Sequence, residues 1–477
     1  MVERLEPAAC LIDGELVVAD GPEHVVVDPY TEAPMGSAPE AGPDLVGSAV
    51  DAAARAHPAW RDTGVTERAA LLDAVADLLG ADEDSMATLV SREMGMPVTL
   101  ARVTQSQLPS RVLRATAEVA RNGFPWREEI EGATLTRSGA GVVGAITPWN
   151  MPVHQIVAKV SAAVAAGSPV VLKASEQTPY DALRIGELFM EAGAPAGLVN
   201  VVTGTGPVTG AALASHPGLA RLSFTGSVRA GREVAGLAAR NLVKCSLELG
   251  GKSPALVLPD ADLATAVPAA LRSGLVNSGQ ACNATTRMLI PEQSAGDVVE
   301  LVREAAATFV LGDPTDPDTS QGPLVTAAQQ QAVLGHIEHA RTEGGEVVTG
   351  GSAHTPANGT GYFVEPTVIA GLPENARAVR EEIYGPVVVL QTYRDLEDAV
   401  RVANDSDYGL SAEVWSADTE RARRVGERLS VGQVKINGVR TRNRPLVPFG
   451  GMRHSGYGRE LGPLGIEEFT DVTAVMA

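Results

Sequence analysis

From about residue 140 onward, short apolar runs alternate with Ala-rich stretches whose apolar positions recur every three or four residues. A strand buried on both faces reads as a continuous apolar run, and a helix that covers it reads with a period near 3.6. The alternation therefore predicts α/β units around a mostly parallel sheet. Strands are expected at 141–147, 169–173, 198–202, 219–224 and 255–258, with helices at 180–192 and 228–240 between them. Residues 43–122 carry helical periodicity, most clearly at 67–79 and 105–119, so the N-terminal third is expected to be mainly helical. A second α/β series follows residue 251, with helices near 262–277 and 325–343, and a Gly-rich segment spans 449–465. No internal repeat interrupts this order.

The chain has 477 residues, more than one hydrophobic core readily serves, so two or three domains are expected. Its formal charge of −20 argues against a nucleic-acid partner, since that binding depends on Lys and Arg neutralising phosphates. Three scattered cysteines, Cys10, Cys245 and Cys282, suit neither a disulfide framework nor a zinc site, and the His residues lack ligand spacing. A reducing cytoplasm and no metal are expected. The N-terminus is acidic rather than signal-like, and no stretch approaches the roughly 20 apolar residues that span a bilayer.

Three segments carry candidate chemistry. Cys282 lies in Asn-Ser-Gly-Gln-Ala-Cys-Asn-Ala after an amphipathic helix, a polar setting in which a partly exposed thiol beside a helix end would favour thiolate. A buried, inert cysteine is the alternative. In 243–249, Val243, Cys245, Leu247 and Leu249 alternate with Lys244, Ser246 and Glu248, the period of a strand. Cys245 falls on the apolar face, as packing. Glu248 falls on the other, either presented to a cleft by the following Leu-Gly-Gly-Lys turn or solvated at the surface. Asn150, in Thr-Pro-Trp-Asn-Met-Pro at 147–152, offers an amide NH2 to a developing oxyanion, although an ordinary turn uses the same residues.

Phosphate sites are less sharply written. Gly204-Thr205-Gly206 misses the GxGxxG spacing by one, and Gly250-Gly251-Lys252-Ser253 lacks the first glycine of a P-loop. Ser223-Phe224-Thr225-Gly226-Ser227 is better placed, between a strand and a helix whose N-terminus suits a pyrophosphate. Lys173 and Glu176 emerge at the end of a buried strand, where open α/β sheets bind ligands.

Together these segments resemble the aldehyde dehydrogenase superfamily. The matching stretches are 148–152, 173–179, 224–227, 248–254, 279–282, Glu-Glu-Ile-Tyr-Gly-Pro-Val at 381–387 and Pro-Phe-Gly-Gly at 448–451, in the family's order. The resemblance implies Cys282 as nucleophile, Glu248 as general base and Asn150 as oxyanion donor with the Cys282 backbone N–H. It implies Lys159 in a proton relay, and Trp149, Lys173, Glu176, Gly226, Ser227, Glu382 and Tyr384 at the cofactor. NAD is the implied cofactor, with NADP possible, because the Glu176 carboxylate would repel a 2′-phosphate. Ser168 and Ala174 depart from a frequent Asn and Pro, Tyr384 replaces a usual Phe, and Arg453-His454 follow the Pro-Phe-Gly-Gly turn. The implied fold is a Rossmann-like cofactor domain (1–122 and 142–250), an α/β catalytic domain (251–459) and a strand segment (123–141 and 460–477) that joins subunits into a homodimer or homotetramer.

The implied reaction is oxidation of an aldehyde to the acid through a Cys282 thiohemiacetal and thioester, the latter hydrolysed by water that Glu248 activates. Transfer to coenzyme A is one alternative, which Glu248 disfavours. A cysteine hydrolase needing a paired His is another, and a non-catalytic binding protein a third, disfavoured by the intact Cys282, Glu248 and Asn150. For the substrate, an aliphatic aldehyde or an acid semialdehyde is expected. Gln155 is a candidate contact, and Arg442 or Arg444, in a run that includes Arg440, would receive a carboxylate unless these arginines simply face solvent.

Overall fold

A computed structural model describes residues 5–357, 359–439 and 444–476. The apolar runs form the middle of an eight-stranded sheet in the order Glu15–Val17, Cys10–Ile12, Val199–Val202, Val170–Lys173, Val143–Ile146, Arg221–Gly226, Lys244–Leu249, Gly456–Tyr457. The five central strands pair in parallel, and antiparallel strands close both edges. Along the chain, the sheet grows from Val143–Ile146 first to one side and then to the other. That reversal opens a crevice at the carboxyl ends of Val143–Ile146 and Arg221–Gly226, the Rossmann-like arrangement for a nucleotide. Residues 147–152 and Ser227 leave the sheet at this crevice.

The second sheet has seven strands: Glu346–Thr349, Thr367–Ala370, Val387–Tyr393, Arg287–Pro291, Pro254–Val257, Ser411–Trp415 and Gln433–Ile436. All pair in parallel except the first with its neighbour. Helices Leu263–Gly274 and Ala295–Ala306 bury an apolar stripe on one face, and Leu396–Asn404 and Thr419–Gly426 cover the other. A third, antiparallel sheet pairs Arg127–Ile130, Ala133–Gly139 and Thr470–Met476. Among the described residues, no helix is long and apolar enough to cross a membrane.

Two departures from the sequence reading place site residues. The single helix expected over 105–119 begins instead as wide π-helical turns at Arg102–Gln107, followed by Leu108–Glu118. Pro109 explains this: its ring opposes the carbonyl four residues earlier and it has no N–H to donate, so the preceding turn widens. The second concerns Gly456–Tyr457, which lies in the stretch expected to belong with the second sheet but pairs with Lys244–Leu249 in the first. It carries the Gly-rich segment back beneath Glu248.

Helix Pro152–Ala166 runs between these layers with every residue but His154 buried. A helix apolar on all sides belongs in a core, so Lys159 within it is a charge that must find a partner.

Candidate active site

The segment bearing Cys282 follows helix Leu263–Gly274 through one tight turn, Val276–Gly279, rather than sitting at a helix N-terminus. Asn277, Ser278 and Gly279 adopt φ of 51°, 57° and 72°. A Cβ on Gly279 would lie 1.9 Å from the Gly385 carbonyl oxygen, so glycine lets this loop close on the segment carrying Tyr384. Gln280 pins the loop from within. Its Oε1 accepts from Val325 N (3.0 Å) and its Nε2 donates to Asn277 O (3.3 Å).

Asn150 meets the same loop. Its Nδ2 donates to Gln280 O (3.1 Å), and Asn277 Nδ2 donates to Asn150 O (3.0 Å). The amide is thus fixed to a carbonyl two residues before Cys282, with a second N–H left to donate.

Glu248 ends its strand 2% exposed, which overturns the solvated reading. Neither carboxyl oxygen has a hydrogen-bond partner among the described residues. Gly450, at φ 151°, makes room for it, since a Cβ there would stand 2.7 Å from Glu248 Oε1. Burial, then the charge of Glu460, raises its pKa well above the usual carboxylate range, against the lowering pull of Lys159 and Arg459. Lys159 is ion-paired to Glu460.

Cys282 is half-buried. Burial first, then the charges of Glu382, Glu248 and Glu460, push its thiol up to about 12. The thiolate-favouring setting expected from sequence is therefore corrected: Cys282 follows a tight turn rather than a helix N-terminus, and burial with the neighbouring carboxylates favours the thiol over the thiolate. Cys245 behaves as packing, its thiol pushed by burial up to about 11.

On the crevice side, Lys173 is 3% exposed and its Nζ donates to Glu176 Oε2 (3.1 Å), burial lowering its pKa. Ser227 caps helix Val228–Ala239, its Oγ accepting from Ala230 N (3.2 Å), directly after Gly226. Glu382 Oε1 accepts from Gly251 N (3.0 Å), and a Cβ on Gly250 would stand 2.0 Å from its Oε2. Burial raises Glu382 to about 7. The Trp149 and Tyr384 rings meet edge to face at 5.6 Å. A helix N-terminus with free N–H groups, a buried lysine beside a carboxylate and a second carboxylate on a glycine cradle suit a dinucleotide.

Cys282 also lines a cavity of about 360 Å³ with Met151, His154, Gln155, Phe449 and Leu461. Gln155 Oε1 accepts from Thr225 Oγ1 (3.2 Å). Arg444 stands exposed on its rim; Arg440 and Arg442 lie outside the described residues.

A family model described as "Aldehyde dehydrogenase family" matches residues 17–475. The chain belongs to the aldehyde dehydrogenase family. It is 40% identical to 3-succinoylsemialdehyde-pyridine dehydrogenase of a Pseudomonas species, covering 98% of this chain and 97% of that one. Among solved structures it resembles aldehyde dehydrogenase C of Pseudomonas syringae, a cysteine-to-alanine variant complexed with NAD+ and octanal (TM-score 0.96, 38% identity, 98% and 96% of the two chains). It also resembles betaine aldehyde dehydrogenase of Staphylococcus aureus with NAD+ (TM-score 0.95, 30% identity, 98% and 94%). This aldehyde dehydrogenase is an NAD(P)-dependent oxidoreductase of the α/β fold expected from its sequence.

Sequence reading missed Glu460, Gln280 and Asn277. Glu460 stood at the start of the segment assigned to subunit joining. Only the buried lysine on an otherwise apolar helix hinted that a carboxylate must come from elsewhere.

Proposed function

We propose that this aldehyde dehydrogenase converts an aldehyde to its carboxylic acid through a covalent acyl intermediate on Cys282, released by water. The observation that carries this reading is the approach of the Asn150 and Glu248 segments to the Cys282 loop from two different strands: Asn150 is bonded to Gln280 O, and a Cβ on Gly251, in the turn after Glu248, would stand 2.7 Å from Cys282 O.

The thiol loses its proton to solvent through the cavity that Cys282 lines, Sγ bonds the carbonyl carbon, and the C=O pair moves onto oxygen, with Asn150 Nδ2 and the Cys282 N–H donating to the new oxyanion. Acceptance of a hydride is the chemistry NAD(P)+ supplies when bound. Lys173 and Glu176 hold the adenosine ribose, Gly226 and Ser227 the pyrophosphate, and Glu382, Trp149 and Tyr384 the nicotinamide end. Glu176 favours NAD, as its carboxylate opposes a 2′-phosphate. In the second half, ionised Glu248 takes a proton from water, the hydroxide adds to the thioester carbonyl, the C–S bond breaks, and the acid's proton restores the thiol as the carboxylate leaves. Lys159 and Glu460 carry that proton outward from Glu248.

The division into a cofactor unit (1–122, 142–250), a catalytic unit (251–459) and a joining segment (123–141, 460–477) belongs to this proposal, as do a homodimer or homotetramer and a cytoplasmic site. Apolar Ile130, Val472, Val475 and Met476, exposed on the third sheet, support association there. For the substrate, an aliphatic aldehyde fits the apolar part of the cavity, and Arg444 on the rim keeps an acid semialdehyde in view.

The test is intact mass after mixing Glu248→Gln enzyme with NAD+ and an aldehyde. An acyl adduct on Cys282, absent from Cys282→Ala, is expected to accumulate. Rapid clearance of the adduct by the Glu248→Gln enzyme would contradict the role of Glu248, and turnover only on adding coenzyme A would support acyl transfer instead.

A further inference from the structure

The cavity that holds Cys282 extends along the second sheet to its Gln433–Ile436 edge and there changes character. Strand Ser411–Trp415 lies parallel to Gln433–Ile436 with Glu413 directly opposite Lys435. On the other side Glu413 sits opposite Ala255, which in turn lies opposite Met288. Across one row of one sheet face, then, methionine and alanine give way to a glutamate and a lysine. Helix Leu263–Gly274 covers this face and presents Thr265, Ala269 and Ser273 at successive turns to the cavity. Small side chains there leave space where larger apolar ones would have filled it.

Glu413 is 2% exposed. Its Oε1 accepts from Ser273 Oγ (2.5 Å) and from Lys435 Nζ (3.3 Å). Its Oε2 has no partner among the described residues, and neither has Gln433 Oε1 or Trp415 Nε1, although all three atoms are buried. Each of these residues lines the cavity. Two acceptors and one N–H donor thus stand unmet around an ion pair that is neutral overall. Buried polar atoms are ordinarily satisfied, and a group of unmet ones in a ligand cavity points to something that satisfies them on binding.

We propose that Glu413, Lys435, Gln433 and Trp415 form a polar subsite that selects aldehydes bearing a neutral hydrogen-bonding group, such as a hydroxyl, at the end remote from the carbonyl. The inference rests on the reading that Cys282 oxidises an aldehyde in this cavity. A hydroxyl donates to Glu413 Oε2 or Gln433 Oε1 and accepts from Trp415 Nε1. An alkyl terminus leaves all three atoms dry and unpaired. A carboxylate gains Lys435 and the indole N–H but is set against two acceptor oxygens, and an ammonium gains Glu413 but meets Lys435.

The test is kcat/KM with NAD+ for three aldehydes of matched length: ω-hydroxyhexanal, heptanal, which replaces its hydroxyl with a methyl, and adipate semialdehyde. We expect ω-hydroxyhexanal to exceed heptanal by about tenfold or more, because a site built to bond a hydroxyl rejects the analogue that lacks it. Gln433→Leu lowers that ratio several-fold. The double change Glu413→Leu with Lys435→Met brings it to one or below, since removing both charges leaves no lone buried ion. An unchanged melting temperature shows each variant is folded, and Gln433→Leu carries the test if the double variant is not. Equal or greater kcat/KM for heptanal in the parent enzyme overturns the proposal. Preference for adipate semialdehyde overturns it too and moves recognition to Arg444. Absence of NADH with all three aldehydes is a different failure, defeating the oxidation reading itself.

Discussion

Cys282 and Glu248 are both acidic groups whose surroundings favour the neutral form over the ionised one. Burial and surrounding carboxylates raise the Cys282 thiol to about 12 and Glu248 well above its usual range. In the proposed mechanism each acts in its ionised form, Cys282 as nucleophile and Glu248 as base. The sign of the pH dependence follows: protonation is favoured at and below neutrality, so the active forms grow as pH rises. With NAD+ saturating, kcat/KM for an aldehyde should climb from about pH 6 to about pH 10 without an acid-side optimum. A profile that is flat, or falls over that range, would show that these groups are not titrating in the rate-determining steps. The proposed chemical residues, Cys282, Glu248 and Asn150, stand out in the sequence because they sit in short segments of fixed spacing. Their electrostatic setting does not. The charges that raise the thiol come from Glu382, Glu248 and Glu460, 100, 34 and 178 residues away along the chain by the numbering of the sequence. Nothing local to Asn-Ser-Gly-Gln-Ala-Cys announces them.

At the scale of elements, the central strands were readable as apolar runs because both their faces are covered, and the helices between them by their period. What pattern does not encode is irregular backbone. The π-helical turns at Arg102–Gln107, whose Thr104 lines the cavity, arise from one proline acting on the turn before it. The Cys282 loop depends on three consecutive left-handed residues, Asn277, Ser278 and Gly279, whose types mark a turn without specifying its shape. Its close approach to Gly385 makes a firm expectation. Gly279→Ala should cost upwards of about 2 kcal/mol of stability, as strain at a positive φ adds to a backbone clash. It should also lower kcat strongly by displacing Cys282 from Asn150, measured as melting temperature and initial rate. Wild-type rates in a folded Gly279→Ala protein would mean that the loop does not position the thiol.

At the scale of the whole molecule, the site exists only because distant segments converge. One sheet supplies Glu248 and, through the strand ending at Ile146, Asn150; the second sheet and its helix supply Cys282; and residues 449–460 return across both with Gly450 and Glu460. The order of the two sheets was legible from alternation, whereas the return of Gly456–Tyr457 to the first sheet was not, since a two-residue strand leaves no period. The third sheet carries its own prediction. Removal of residues 470–477 strips its longest pairing, with Ala133–Gly139, and sedimentation should then report a smaller species than the full-length protein. Identical sedimentation of the two would place the subunit contact elsewhere.

The central claim, that this chain oxidises aldehydes on Cys282, is tested most directly by NADH absorbance in the full-length enzyme and in Cys282→Ala, given NAD+ and a panel of aldehydes. The account predicts aldehyde-dependent NADH from the parent and none above background from the variant. NADH formed equally by both proteins, or by neither with any aldehyde, would contradict it.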